Sequence, residues 1–393
     1  MPKDVIYLDN HATTRIDPRV LEAMMPSLTE AYGNAASRTH QFGWDAEAMV
    51  DKARAQLARI IGAKAPEIVF TSGATEAINL ALKGAFEGGP AGRRKIVTLA
   101  TEHKATLDTA KHLAERGAEV VVLPVEASGL VDLGRLAAAI DDRTLLVSVM
   151  MVQNEIGTIQ PIAEIARLAH ERGAWIHTDI AQAVGKVPVD VEKLDVDFAS
   201  LSGHKFYAPK GVGALYVRSA KRKVAVHEQQ HGGGHEGARR SGTLNVPGIV
   251  GIGAAAEYAR LELPTEAPRI AAQRDRLEAR LETEVGDVFV NGDRAQRVPG
   301  NLNMGFRLVE GETLLIALPN LAVSSGSACT SGSVAASYVL KAIGRTDDEA
   351  VASIRFGIGR FTTDVEIERS ADIVVDTMRK LRSVAPAARR AGR

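Results

Sequence analysis

Ile68-Val-Phe-Thr-Ser-Gly-Ala-Thr-Glu76 reads as a short apolar strand, a tight glycine turn and the opening of a helix. A strand that turns directly into a helix is the repeating step of α/β architecture, and here the step recurs downstream. Further apolar runs lie at Lys95–Ala100, Glu119–Val125, Leu145–Val152, Trp175–Asp179, Phe198–Ser202 and Ala214–Val217. As a set they are rich in Val, Ile and Leu on both faces, the pattern of strands covered on both sides in a mostly parallel sheet. Helical patterns fall between several of them. Ile162–Arg172 is one, with Gly173 as its stop signal. Upstream, Trp44–Ile61 is amphipathic: Ala46, Val50, Ala53, Leu57 and Ile60 mark its buried stripe and Gly62 its end. Downstream, Leu261–Arg269 carries two prolines, which predicts a break in the helical pattern and a domain boundary.

The chain has 393 residues, more than one domain usually holds, so two sizeable cores are expected. Lys plus Arg equals Asp plus Glu at 48 each, so bulk charge argues for neither a nucleic-acid nor a membrane partner. A single cysteine cannot form an intrachain disulfide, which suits a reducing compartment. The first residues lack the apolar core of a signal peptide, and no apolar run approaches the roughly 18 residues a membrane span requires. A cytoplasmic location is therefore expected. The stretch Arg379–Arg393 carries six Lys or Arg and no acid, and reads as a solvated tail.

Three strand ends carry chemistry. The turn at Ser72-Gly73 opens a helix whose first N–H groups, at Ala74 and Thr75, lack intrahelical partners and face an anion with the positive end of the dipole. Thr75 adds a hydroxyl, although it could equally cap its own helix. Asp179 ends an apolar strand, where ligands of open α/β sheets bind; a buried carboxylate there needs a cationic partner, a structural salt bridge being the plain alternative. Lys205 follows the next strand, flanked by Ser202 and His204, and desolvation there would suit its amine to imine chemistry. Phosphate cradle, strand-end acid and strand-end lysine together are what pyridoxal 5'-phosphate requires. Cys329 lies in Ser324-Ser-Gly-Ser-Ala-Cys-Thr-Ser-Gly-Ser333, a run of small residues that reads as an exposed loop rather than core. A thiol there is either a chance surface residue or a nucleophile on a flexible arm. His231-Gly-Gly-Gly-His235 spaces two histidines like metal ligands, but three glycines disfavour a helix and no further ligand is at hand, so no metal is expected. Gly211-Val-Gly213 reads as a turn into the strand that follows.

With these residues in view the chain resembles the cysteine desulfurases of the NifS/IscS group, in the class V branch of fold-type I pyridoxal phosphate enzymes. The motifs that carry the resemblance are Tyr7-Leu-Asp-Asn-His-Ala-Thr-Thr14, Thr71-Ser-Gly-Ala-Thr-Glu76, Thr101-Glu-His-Lys104, Asn154-Glu-Ile-Gly157, Ser202-Gly-His-Lys205, His231-Gly-Gly-Gly-His-Glu236, Arg240-Ser-Gly-Thr243, Ser324–Thr330 and Ser353-Ile-Arg-Phe-Gly-Ile-Gly-Arg-Phe-Thr362. The resemblance implies a large domain over residues 16–260 with a seven-stranded, mostly parallel sheet, and a smaller α+β domain from 1–15 and 261–393. It implies that Lys205 holds the cofactor, that His103 stacks on the ring and relays protons, and that Asp179 pairs with the ring nitrogen. Gln182 would bond the ring's phenolic oxygen, Ala74, Thr75, Ser202 and His204 the phosphate, and Asn154 would also contact the cofactor. Thr243 would reach the phosphate of a second subunit in a homodimer, and Asn34, Asn154 and Arg355 would hold the carboxylate of L-cysteine. Cys329 would take the sulfur as a persulfide and pass it to an acceptor such as an iron–sulfur scaffold or a tRNA-thiolation protein. A transient iron–sulfur cluster in a partner complex is a further role the resemblance implies for Cys329.

A selenocysteine lyase or another class V enzyme shares the lysine, acid and cradle. A non-catalytic assembly platform is the alternative of another kind, and the presence of Lys205, Asp179, His103 and Cys329 together argues against it. Three positions depart from the family pattern: Ala35 stands where proline is usual, Ile180 replaces a small residue beside Asp179, and Ala208 replaces a glycine. The short basic end, Ala387–Arg393, lacks the longer tail of members that dock a scaffold, so docking is left open.

Overall fold

A computed structural model of the chain describes residues 5–222, 224–325 and 336–384. After the two-residue strand β1 (Ile6–Tyr7), the apolar runs become β2 (Ile68–Thr71), β3 (Lys95–Leu99), β4 (Glu119–Leu123), β5 (Thr144–Ser148), β6 (Trp175–Asp179), β7 (Phe198–Ser202) and β8 (Gly213–Val217). These seven form one sheet in the order β2-β8-β7-β6-β5-β3-β4. β4, β3, β5, β6 and β7 pair in parallel, and β8 runs antiparallel to both its neighbours. Every residue of β3, β5, β7 and β8 is buried, which is why these strands read as unbroken apolar runs rather than as an alternation. The fifth strand is shorter than the run Leu145–Val152 suggests. Beyond Ser148 the Val149 and Met151 N–H groups still donate to the His177 and Asp179 carbonyls of β6, but on the other side Met150 N–H donates to Glu102 Oε1 at 2.7 Å.

A smaller body follows. β9 (Val288–Val290), β10 (Asn301–Phe306) and β12 (Ser353–Gly357) make an antiparallel sheet with β10 in the middle. β11 (Leu321–Ala322) pairs in parallel with β1, which ties the start of the chain to this end of it. Three large apolar clusters result, one of them, with Ile78, Leu82 and Phe198, packed against the main sheet beside the helix Ala74–Gly88. A second, also at the main sheet, includes Leu57, Val147, Ile176 and Ile252; the third gathers Leu8, Leu277, Leu302, Phe356 and Val374.

The expected break at Leu261–Arg269 does not occur. A continuous helix, Val246–Val285, runs through Pro264 and Pro268. Each proline removes the N–H that would serve the carbonyl four residues earlier. Both prolines are exposed, so water can satisfy the freed carbonyls, while Ile249 and Ile252 bury the first part of the helix in the second cluster and Ile270, Leu277 and Leu281 the second part in the third. Among the described residues no helix is long and apolar enough to cross a membrane.

Candidate active site

The phosphate cradle is built where β2 hands over to the helix Ala74–Gly88. Gly73 is the N-cap and offers no side chain to the helix, so the first N–H groups stay available to an anion. The Ser72 N–H is already spent on Glu76 Oε2 at 2.7 Å, and Glu76 is fixed in turn by Arg240 Nε at 2.7 Å. Gly213, the first residue of β8, lets two backbones meet: a Cβ there would lie 2.6 Å from Gly73 Cα. Ser202, the last residue of β7, faces the turn, with its Oγ 3.5 Å from the place a Cβ on Gly73 would take. Thr75 and His103 share the wall of an open hollow of about 320 Å³.

Asp179 ends β6 and is 5% exposed. Its Oδ1 accepts the Ala181 N–H at 2.8 Å, and among the described residues no lysine, arginine or histidine forms an ion pair with it. Burial pushes its pKa above the ordinary carboxylate value; the Ala181 N–H, His103 and Lys205 pull the other way. Lys205 sits in a short 3-10 turn just past β7, and its Nζ donates to the carbonyls of His11 (2.7 Å) and Ala12 (2.8 Å). His204 Nδ1 lies 3.1 Å from Thr13 Oγ1, and desolvation, with Lys205 beside it, holds the imidazole down at about 4.

His103 caps the helix Lys104–Ala114, its Nδ1 accepting the Ala105 N–H at 3.1 Å. Desolvation keeps this imidazole neutral to lower pH than usual, against the pull of Asp179. With Nδ1 spent as an acceptor, the proton of the neutral ring belongs to Nε2.

Arg355, on β12, joins the two bodies. Its guanidinium meets Asp9 Oδ1 and the Asn154 carbonyl, at 2.8 and 2.9 Å, and its buried Nε has no partner among the described residues. Its backbone bridges Ser324, and Ser324 Oγ also bonds Asp9 Oδ1 at 2.8 Å. The root of the small-residue loop therefore touches the same arginine. Cys329 itself lies outside the described residues. Asn34 is exposed, with its Oδ1 accepting the Ala36 N–H in a local turn, and it makes no hydrogen bond to Asn154 or Arg355. Thr243 is also exposed and takes no part in the cradle of its own chain. His231 and His235 bond Glu228 and the Gly242 N–H respectively. Ile180 is wholly buried in the main core, so its larger side chain is accommodated there.

Sequence reasoning gave no role to Asp9, His11 or Lys186, although the first two lie in a motif it singled out. Gln182 Oε1 is 3.0 Å from His11 Nδ1 and 2.5 Å from Lys186 Nζ, and Gln182 Nε2 donates to the His11 carbonyl at 2.8 Å.

This donor set fits pyridoxal phosphate. A buried carboxylate without an ion-pair partner suits a protonated ring nitrogen, uncapped helix N–H groups suit a phosphate ester, and Lys205 supplies an amine whose charge Asp179 feels. Comparison with known proteins points the same way. Residues 6–369 match the family described as aminotransferase class-V. The cysteine desulfurase IscS of Anaeromyxobacter dehalogenans (strain 2CP-C) is 54% identical over 381 residues, 97% of this chain and 94% of that protein. Among solved structures, a NifS-like protein has a TM-score of 0.89 and 37% identity, covering 96% of this chain and 100% of its own. SspA in complex with cysteine has a TM-score of 0.80 and 35% identity, covering 91% of this chain and 99% of its own.

Proposed function

The chain belongs to the aminotransferase class-V family, and from that premise we propose that it is a pyridoxal phosphate-dependent cysteine desulfurase. When bound, the cofactor supplies an electron sink for bond cleavage on the substrate. The residues do the rest. Lys205 holds the cofactor and moves the proton at the substrate Cα. Asp179 keeps the ring nitrogen protonated. The N–H groups of Ala74 and Thr75, with Ser202 and His204, anchor the phosphate. Asn34, Asn154 and Arg355 hold the substrate carboxylate, and the unpartnered Arg355 Nε supports that role for the arginine. His103 stacks on the ring and offers Nε2–H as a donor.

The Cys329 thiolate takes the sulfur. The Cβ–S bond of L-cysteine breaks, an S–S bond to Cys329 Sγ forms, and Cβ gains a proton, which yields L-alanine and a protein persulfide. The persulfide sulfur then passes to an acceptor such as an iron–sulfur scaffold or a tRNA-thiolation protein in the cytoplasm.

Activity as a homodimer, with Thr243 completing the second subunit's phosphate site, is supported by the exposure of Thr243 and of the apolar side chains Tyr32 (67%), Phe42 (47%) and Trp44 (49%). The division into 16–260 and 1–15 with 261–393 is supported by the two apolar clusters that the helix Val246–Val285 joins.

The observation that carries the reading is the buried Asp179 carboxylate, which has no ion-pair partner among the described residues although the charges of His103 and Lys205 act on it. The test is to supply L-cysteine and a reductant and to measure sulfide and alanine together. Equal yields, abolished by Cys329→Ser while the cofactor's visible band persists, support desulfuration. An intact band with no sulfide from the parent protein refutes it.

A further inference from the structure

Gln182 is held on three sides, and the three contacts agree on which way its amide faces. The His11 carbonyl, 2.8 Å away, can only accept, so the atom beside it is the amide nitrogen. The oxygen is thereby turned to Lys186 Nζ at 2.5 Å and His11 Nδ1 at 3.0 Å. His11 must then carry its proton on Nδ1. The buried Nε2 makes no hydrogen bond of good geometry, although the Gly300 backbone acts on the ring. Lys186 lies four residues beyond Gln182, in the turns that follow β6, and among the described residues has no carboxylate partner. Burial holds both the Lys186 amine and the His11 ring well below their ordinary pKa values; Lys205 and Arg355 add to the effect on the amine, and Lys186 and Arg355 to that on the ring, where the bonds to Gln182 and the Gly300 backbone oppose it.

We infer that Lys186 and His11 are positioning residues that lock the Gln182 carboxamide with its oxygen inward, so that only an N–H of Gln182 remains to meet the ligand. Resting on the reading of Gln182 as the partner of the ring's phenolic oxygen, the lock makes that partner a fixed donor. A donor bonds an anionic oxygen more strongly than a protonated one, whereas a free amide could turn and accept from the protonated form. The Gln182 N–H also competes for the phenolic oxygen with the proton shared by the Lys205 nitrogen, so that proton leaves at lower pH than it otherwise would.

The experiment is a pH titration of the visible absorption band of the holoenzyme in the parent, Lys186→Met, Gln182→Met and the double variant. Loss of a locked donor should raise the midpoint in each single variant by about one pH unit, a tenfold change in proton affinity. The double variant should show no further rise, because Lys186 acts through Gln182. Lys186→Gln keeps a donor for the Gln182 oxygen and should stay nearer the parent. His11→Phe removes the second donor and provides the same test if Lys186→Met does not fold. An unmoved midpoint in Lys186→Met, or a rise of equal size in the Gln182→Met background, overturns the lock; the second result would mean that charge acts through space. An unmoved midpoint in Gln182→Met shows instead that Gln182 does not meet the phenolic oxygen, and the inference falls with that reading, while desulfuration stands on its own assay.

Discussion

Asp179 owes its raised pKa to burial and its usefulness to the same cause: a carboxylate this poorly solvated gains most when a cation arrives. Asp179→Asn should therefore retain the cofactor, since Lys205 and the cradle remain, yet lose desulfuration by about a hundredfold or more, the cost of leaving a buried charge without its partner. Sulfide release at saturating L-cysteine, compared with the cofactor content of the purified variant, checks this; near-parental turnover would remove Asp179 from the chemistry. Asp179 and Lys205 were legible in the sequence because a strand's end can be read from where its apolar run stops, and the sheet's topology then sets where that end lies. The lock around Gln182 was not. Its members come from residues 11, 182 and 186, and the ion pair of Arg355 with Asp9 spans most of the chain. Such pairs depend on how distant segments dock, which no local pattern encodes.

At the scale of elements, the cradle depends on β8 as much as on the turn itself. Gly213 lies against Gly73 and beside the Leu201 carbonyl, with backbone atoms 2.5–2.6 Å from any added Cβ. Gly213→Ala must push the Ser72-Gly73 turn away from β8, and the dissociation constant for the cofactor should rise about tenfold or more, since each misplaced anchoring hydrogen bond to a charged group is worth about 1.5–3 kcal/mol. Titration of the apoprotein with pyridoxal phosphate, followed by absorbance, measures it. Unchanged affinity would show that the turn tolerates the shift. The same turn is braced from the other side. Glu236, held by Arg54 at 2.7 Å, accepts the Phe70 N–H at 2.7 Å, so its carboxylate covers the open edge of β2. Strands Ile68–Thr71, Trp175–Asp179 and Phe198–Ser202 appear as the apolar runs predict. The helix through Pro264 and Pro268 does not, because proline is read as a breaker on local grounds and its tolerance here rests on facing water between two packed ends.

For the whole molecule, Glu155 marks a junction between the bodies. Its carbonyl accepts from Asn301 and Asn303 of the small sheet, and its Oε2 accepts the Ser337 hydroxyl at 2.5 Å. Burial pushes this carboxyl up to about 7, with the Ser337 bond, Arg355 and Lys104 opposing. The folded chain thus keeps a proton that the unfolded chain gives up above 4.5, so the stabilisation is complete below that pH and is lost as pH rises through about 7. The shift corresponds to about 3 kcal/mol across that window. Glu155→Gln should flatten the fall of the thermal midpoint between about pH 5 and 8; an unaltered slope would place the pH dependence elsewhere. The pairing of β1 with β11 has a consequence for the growing polypeptide. The strand that leads to Leu8, a residue wholly buried in the finished protein, finds its pairing partner only once the ribosome has passed residue 321. At about 5–20 residues per second that is roughly 15–60 seconds of exposure for an apolar side chain, a period in which chaperones can hold the nascent N-terminus. His11 and Ala12, whose carbonyls seat Lys205, belong to that waiting segment, so the lysine, made at position 205, waits for its seat until the far strand has followed.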